Sequence, residues 1–143
     1  MQSDNEKMLQ EIVQNTEMGK NTLDELMGLT RDQPLKDEMM RQKREYRRIN
    51  QAAHTALEAI GAQAQGQSAA ARMSVSMGIR TRTMLDKSTR NLATMLAEGS
   101  GQGAMDCKRA ERDYPEASPG ARKLCRELGD FQAQAESTWR EFI

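Results

Sequence analysis

Core-type residues recur at alternating spacings of three and four along three stretches of the chain. This period places each set on one face of an α-helix, as in the buried seam of a helical bundle. The apolar–polar alternation typical of β-strands does not occur. We therefore predict an all-α protein. The three sets are Leu9, Ile12, Thr16, Gly19, Leu23 and Leu26; Leu35, Met39, Gln42, Tyr46, Ile49, Ala53, Ala56 and Ile60; and Ala121, Leu124, Leu128, Phe131, Ala135, Thr138 and Phe142.

Capping residues divide the chain into segments. Most of the predicted helices are preceded by a side chain that can accept a hydrogen bond from the first helical turn. Two of them also carry a proline in that turn, where proline is well tolerated. These residues are Ser3, Asp32 with Pro34, Ser68, and Ser118 with Pro119. We predict helices over about 4–29, 33–60, 68–98 and 118–142, with a shorter helix near 102–113. The cluster Gly99, Gly101 and Gly103 is expected to interrupt the chain between the third helix and the short one.

The lengths of these segments predict a single domain over 1–143, built as an antiparallel four-helix bundle. Helices this long span about 40 Å. A linker of about seven to ten residues, such as the one around 61–67, reaches at most about 35 Å when extended. The linker is therefore too short to return along the bundle, so the second and third helices should be antiparallel neighbours. The simplest arrangement is up-down-up-down.

Composition narrows the class of function. Hydrophobic residues make up 37% of the chain, aromatic residues only 3%, and there are 11 methionines, which indicates a core of Leu, Met and Ala. The 21 basic residues balance the 21 acidic ones, which argues against a dedicated nucleic-acid-binding protein. No apolar run approaches the ~18 residues of a membrane span, and no signal peptide opens the chain, so we expect a cytoplasmic protein. Cys107 and Cys125 form no zinc-ligand pattern and should be reduced, partly buried residues.

Several polar or small residues interrupt the apolar stripes at similar heights and predict a polar layer near the middle of the bundle. One interpretation is a hydrogen-bonded layer that sets the helix register, with Gly19 making room for the ring of Tyr46. The other is a small buried ligand or metal site. We favour the first interpretation. The layer comprises Thr16, Gly19, Gln42, Tyr46 and Ser88.

A four-helix bundle raises the question of a ferritin-type di-iron centre, which needs a Glu-x-x-His motif on two helices. His54 is the only histidine, and Gln51 stands three residues before it, so neither motif exists. An oxidase activity of that kind is not expected. Four carboxylates could form a site for Mg²⁺ or Mn²⁺, although ordinary surface charge is the favoured interpretation. They are Glu17, Glu45, Asp86 and Asp106.

Two further clusters have alternative interpretations. A basic run on the second helix could bind phosphate, but pairing with the acidic first helix is favoured. This run is Arg41, Lys43, Arg44, Arg47 and Arg48. Methionine and leucine residues share one face of the third predicted helix, where core filling is favoured over an adaptable binding groove. They are Met73, Met77, Met84, Leu92 and Met95.

Four segments, NTEMG (15–19), RQKREYRRI (41–49), MLDKST (84–89) and AEGSGQGAMD (97–106), resemble a group of small bacterial proteins of unknown function. That group is common in anaerobic Firmicutes and is described as ferritin-like helical bundles. The resemblance implies a four-helix fold and a bacterial cytoplasmic setting. It implies no catalytic residue.

The chain contains no complete catalytic set, which makes an enzyme the less favoured interpretation. We predict a non-enzymatic helical bundle without a cofactor that forms a homodimer or binds another protein. The alternative is a ferritin-like bundle that holds a divalent metal or small ligand in its polar layer. The discriminating observation is whether the carboxylates converge inside the bundle or spread over its surface.

Overall fold

The computed structural model describes residues 2–143. Within this range it contains five α-helices and no β-strand, which confirms the all-α prediction. Each helix there is too short or too polar to cross a lipid bilayer. The helices are α1 (Asp4–Met27), α2 (Gln33–Ala59), α3 (Ala69–Thr83), α4 (Thr89–Asp113) and α5 (Pro119–Arg140).

Every helix begins after a side chain that accepts a hydrogen bond from the backbone N–H three residues later. This contact satisfies one of the free donors of the first turn. Four of the five caps lie where the sequence predicts them, and the fifth, Ser88, begins a helix that the sequence analysis does not separate. The caps are Ser3, Asp32, Ser68, Ser88 and Ser118.

The predicted helix 68–98 is wrong, because the chain leaves the helical conformation at residues 84–88. There the Asp86 carboxylate accepts a hydrogen bond from the Ser88 N–H at 3.0 Å. The Asn91 side-chain amide donates to the backbone carbonyl oxygens of Asp86 at 2.8 Å and Arg82 at 3.0 Å. These side chains offer the backbone partners outside a helix, and α4 starts afresh at the Ser88 cap.

The interruption predicted at Gly99, Gly101 and Gly103 is also wrong, and there is no separate helix near 102–113. Instead α4 runs unbroken from Thr89 to Asp113. A side chain at Gly103 would overlap the amide of Gln132, and one at Gly101 would overlap the carboxylate of Glu136. These glycines therefore allow α5 to approach α4 closely, and this packing offsets their helix-propensity cost of about 1 kcal/mol each.

The helices form two antiparallel hairpins. In the first, Gly19 of α1 lies against the ring of Tyr46 of α2, and the Lys43 ammonium pairs with the Asp24 carboxylate at 2.6 Å. In the second, the Arg126 guanidinium of α5 pairs with the Glu111 carboxylate of α4 at 2.7 Å. In each hairpin, residue numbers rise along one helix as they fall along the other.

The predicted up-down-up-down order is wrong, because α4 runs parallel to α2. The Thr89 hydroxyl, at the start of α4, donates to the carboxylate of Asp32, at the start of α2, at 2.6 Å. At the other end of α4, the Tyr114 hydroxyl donates to the Glu11 carboxylate of α1 at 2.8 Å. The four long helices therefore run up, down, down and up in chain order, with α4 antiparallel to α1.

Residues 60–88, here called the crossover, carry the chain back along the bundle. The sequence predicts that the linker around 61–67 is too short to return along the bundle. The connection is longer than that linker, because α3 belongs to it and is not itself a long bundle helix. The first part of the crossover lies along α1, where the Gln10 side chain accepts from the Gln65 N–H at 2.7 Å and donates to the Gln63 carbonyl at 2.8 Å. The Glu17 carboxylate then accepts from the Gln67 N–H at 3.0 Å.

The helix α3 is only shallowly attached, since Ile79 and Thr83 are its buried residues. The core-filling interpretation of the methionine face is therefore wrong for Met73, Met77 and Met84, whose exposed fractions are 65%, 60% and 69%. It holds for Leu92 and Met95 of α4, which are buried. The apolar core lies between α1, α2, α4 and α5. Its largest fully buried side chains include Trp139, Met8, Leu9, Ile12, Leu23, Leu26, Leu35, Met39, Ile49, Leu57, Leu92 and Leu128.

Candidate ligand-binding cavity

A cavity of about 540 Å³ lies between α1 and α4, and α2, α5 and the start of α3 complete its walls. It exists because the facing helix surfaces carry small residues. Asn15 and Gly19 of α1 face Gly99, Ser100 and Gly103 of α4 across it. A side chain built at Gly99 would meet no atom within 4 Å. The volume falls in the range of small-molecule sites in proteins.

Apolar side chains cover much of the cavity wall. They come from α1, α4 and α5, so the wall continues the surface of the protein core. An apolar molecule that entered would be transferred from water to an apolar surface, which favours binding. The principal apolar wall residues are Ile12, Leu23, Met95, Leu96, Leu128 and Trp139.

A hydrogen-bonded amide pair forms part of the polar wall. The Gln132 amide donates to the Asn15 side-chain oxygen at 2.8 Å and to the Tyr46 hydroxyl at 3.2 Å. The Asn15 amide donates back to the Gln132 side-chain oxygen at 3.3 Å and to the Gly103 carbonyl at 3.4 Å. Burial raises the pKa of Tyr46, so its phenol stays neutral over the physiological range. This cluster joins four helices through uncharged groups that partner one another.

Gln42 differs from the Asn15–Gln132 pair because its side-chain oxygen lacks a hydrogen-bond partner within residues 2–143. The side chain lines the cavity and is 1% exposed. Its NH₂ group donates to the Glu38 carboxylate at 3.0 Å. Its oxygen, Oε1, has no hydrogen-bond partner within residues 2–143. A buried acceptor without a donor costs about 1–3 kcal/mol, so a rotation of the Gln42 side chain that brings this oxygen to a donor group in the cavity would be favourable.

The structure places the predicted polar-layer residues in two groups. Gly19, Gln42 and Tyr46 line the cavity, and the Tyr46 ring lies 2.5 Å from where a Gly19 Cβ would be. Thr16 is fully buried nearby; its hydroxyl donates to the Ile12 carbonyl at 2.8 Å and accepts from the Asn50 amide at 2.9 Å. Ser88 was wrongly placed in the layer, because it is the exposed N-cap of α4.

Sequence reasoning missed Asn15, Ser100 and Gln132. A signal for Gln132 was present, because a second stripe on α5 has the same three-four spacing, shares Ala121, Leu128 and Ala135 with the predicted one, and is buried along its whole length. That stripe contains Ala121, Cys125, Leu128, Gln132, Ala135 and Trp139. The predicted α5 stripe instead includes Phe131, Thr138 and Phe142, which are only half-buried.

The four candidate metal-binding carboxylates do not come together. Glu17 accepts from the crossover, and Asp106 pairs with Arg109 at 3.3 Å. The Arg48 guanidinium binds the Glu45 carboxylate at 2.7 Å and lowers its pKa. Hydrogen bonds from Ser88 lower the pKa of Asp86. Residues 2–143 contain no group of three or more carboxylate, histidine or cysteine side chains placed to hold a metal ion.

The basic run of α2 lies on the protein surface, where several of its members pair with acids. Arg41 and Arg48 pair with Glu38 and Glu45 of their own helix, and Lys43 pairs with the first helix through Asp24. Both types of partner leave these guanidinium and ammonium groups in solvent, where an ion pair contributes at most about 1 kcal/mol. His54 is half-buried on the same helix, away from the cavity wall.

Cys107 and Cys125 are free and adjacent on the cavity wall, and both are buried more deeply than the sequence predicts. The Cys125 thiol donates to the Cys107 carbonyl at 3.4 Å. The pKa of Cys107 is raised, mainly by a hydrogen bond with the Cys125 thiol and to a smaller extent by burial. The Cys107 thiol is therefore protonated at neutral pH, and it adds neutral, weakly polar surface to the cavity.

Comparison of the chain with protein-family models, with curated proteins and with solved structures finds no match. The functional argument consequently rests on the geometry of the cavity and of the surface.

Proposed function

We propose that this protein binds a small, uncharged organic molecule in the cavity between α1 and α4. The observation that carries the proposal is Gln42, a lining residue of a cavity of about 540 Å³ whose buried Oε1 has no hydrogen-bond partner within residues 2–143. The ligand would carry an N–H or O–H group for this oxygen and an apolar body for the wall formed by Leu23, Leu96 and Trp139.

An uncharged ligand is favoured because the inner polar groups are neutral. Amides, a phenol and a thiol cannot replace the hydration that a charged ligand would lose on entry. The charged wall residues already have partners: Asp106 pairs with Arg109, and Glu11 accepts from Tyr114. The proposed role is binding and not catalysis, since the amides of Gln42 and Gln132 neither take up nor release protons near neutral pH.

A pair of probes isolates the contribution of the Gln42 oxygen. Indole is neutral and apolar and carries one N–H donor, whereas benzothiophene has nearly the same shape without a donor. We expect indole to bind at least about fivefold more tightly, because benzothiophene leaves the buried acceptor without a partner. Calorimetric titration of both probes measures this ratio. In Gln42→Met, which removes the acceptor and keeps the side-chain length, the two affinities should become equal.

Two glycines supply a matched test of where the probes bind. Gly99 lines the cavity and Gly78 lies on α3 outside it, and a Cβ at either position meets no atom within 4 Å. Gly99 is exposed at the edge of the cavity, so Gly99→Leu should narrow the entrance and weaken binding of both probes, while Gly78→Leu should leave both affinities unchanged. Equal binding of indole and benzothiophene to the wild-type protein, or undiminished binding to Gly99→Leu, would contradict the proposal.

The arrangement of the helices supports the predicted ferritin-like fold, which we put forward as part of this proposal. Ferritin-like bundles join two antiparallel hairpins through one long crossover. Here residues 60–88 make such a connection between α2 and α4. The proposed ligand differs from that of a di-iron protein, because the carboxylates lie apart. The bacterial source and cytoplasmic location implied by the resemblance stay predictions.

A second candidate function, docking of another protein or self-association, is favoured by a different observation. The exposed side of α3 carries Met73 and Met77, and Met84 and Leu85 just after the helix are 69% and 96% exposed. Apolar side chains grouped on the surface of a protein mark interaction sites more often than scattered ones do. This candidate uses a surface of α3 that is separate from the cavity lining.

A further inference from the structure

Three exposed methionines lie on one narrow line along α3 and its end. They are Met73 and Met77 of α3 and Met84, the C-cap residue, which keeps helical backbone angles. These residues, here called the methionine stripe, follow a spacing of four and seven residues. At 100° per residue these positions fall within about 40° of one another around the helix axis. Ile79 and Thr83, the buried residues of α3, lie on the other side of the helix. The stripe therefore faces solvent along the outer side of the crossover.

The chain segment that carries the stripe is rich in basic residues. Residues 69–90 contain five bases and one acid, Asp86. Arg82 pairs with Glu98 of α4 at 2.8 Å. The other four bases form no ion pair within residues 2–143. They are Arg72, Arg80, Lys87 and Arg90.

We propose that the methionine stripe docks an amphipathic helix of another protein whose apolar face is flanked by acidic side chains. This inference rests on the second candidate function and is independent of the cavity. Methionine side chains adapt their shape to an apolar partner surface, which suits them to contacts of this kind. The flanking bases Arg80 and Lys87 select the charge of the partner and speed its association.

Charge also decides between this partner and a second copy of the chain. At 100° per residue Arg80 lies beside the stripe, so a symmetric contact between two copies through the stripe would bring Arg80 close to the bases of the other copy. Like charges brought together oppose association, whereas acidic flanks on a foreign helix would neutralise these bases. The complementary partner is therefore an acidic helix.

Two synthetic amphipathic peptides test this proposal. Both are about 18 residues long and carry leucine at helical three-four spacing, with glutamate flanks in one peptide and lysine flanks in the other. Fluorescence anisotropy of labelled peptide measures affinity, and ¹³C-methyl NMR of the methionines locates the contact. We expect the glutamate peptide to bind at least about tenfold more tightly, with an advantage that shrinks as salt rises. The methyl signals of Met73, Met77 and Met84 should shift.

The chain offers a matched control for the variants. Met105 on α4 is 61% exposed, comparable to the stripe, and does not line the cavity. The double variant Met73→Gln, Met77→Gln should lose peptide binding, while Met105→Gln should keep it. Indole binding should be unchanged in both, so failure of the docking proposal is distinguishable from failure of the cavity proposal.

Three results would overturn the proposal. The first is equal binding of the two peptides, and the second is the absence of shifts at the stripe methyls with the glutamate peptide in excess. The third is self-association of the free protein that the double variant abolishes, measured by light scattering. That last result would assign the stripe to a second copy of the chain.

Discussion

The helices α3 and α4 lie next to each other in the sequence, yet they have different roles in the fold. Spacing alone predicts that α3 and the first part of α4 belong to one helix, 68–98, whose methionines fill the core. In the structure, α4 buries residues from Leu92 to Ala110, whereas α3 buries Ile79 and Thr83. The difference follows from their neighbours, since α4 packs closely along α5 and α3 lies at the outer side of α1. A repeating apolar spacing identifies a helix face, but another element must lie against that face before it is buried.

The largest expected effect comes from removing side chains that pack between helices of the two hairpins. Leu26→Ala and Leu128→Ala should each lower the free energy of unfolding by about 2–4 kcal/mol, because both leucines are fully buried and leave a cavity. Met77→Ala on α3 should change it by no more than about 0.5 kcal/mol, since that side chain is largely in solvent. Urea denaturation of the three variants measures the contrast. Losses near zero at both leucines would mean that the core is misassigned.

A smaller effect separates two glycines of α4. Gly103→Ala should cost about 1–3 kcal/mol, because the new methyl group displaces the Gln132 amide from Asn15 and Tyr46. Gly99→Ala should instead stabilise the protein by up to about 1 kcal/mol, because the position is open and alanine favours a helix. Thermal unfolding of both variants measures the difference.

A second substitution checks the cause assigned to the Gly103 effect. In a Gln132→Ala background the clash is absent, so Gly103→Ala should lose most of its cost. An unchanged cost in that background would show that the glycine is required for another reason, such as the closeness of the α4 and α5 backbones.

Local sequence rules predict much of the secondary structure. The bounds of α1, α2 and α5 agree with the predicted bounds to within two residues. Their caps, Ser3, Asp32 and Ser118, act through contacts within four residues of sequence. The break at 84–88 was missed because the apolar spacing of Met77 and Met84 continues into it. Hydrogen bonds from Asp86, Ser88 and Asn91 end the helix there in spite of that spacing.

The cavity could be predicted only in part. Gly19, Gln42 and Tyr46 were identified because they interrupt apolar stripes, a pattern visible in one helix at a time. The buried Gln132 and the half-buried Asn15 become partners only because Gly103 lets α4 come close to them, and that contact joins residues far apart in sequence. The direction of α4 depends on the crossover and could not be obtained from helix spacing.

Amide hydrogen exchange tests most directly whether α3 is loosely held while α4 belongs to the core. Amides of α3 should exchange at least about a hundredfold faster than those of α4 between Leu96 and Cys107, because α3 can open without disrupting the core. Gly78→Ala should slow α3 exchange about fivefold, the equivalent of about 1 kcal/mol, and leave α4 unchanged. Equal protection of the two helices, or slowing of both by Gly78→Ala, would contradict the account by showing that α3 and α4 unfold as one unit.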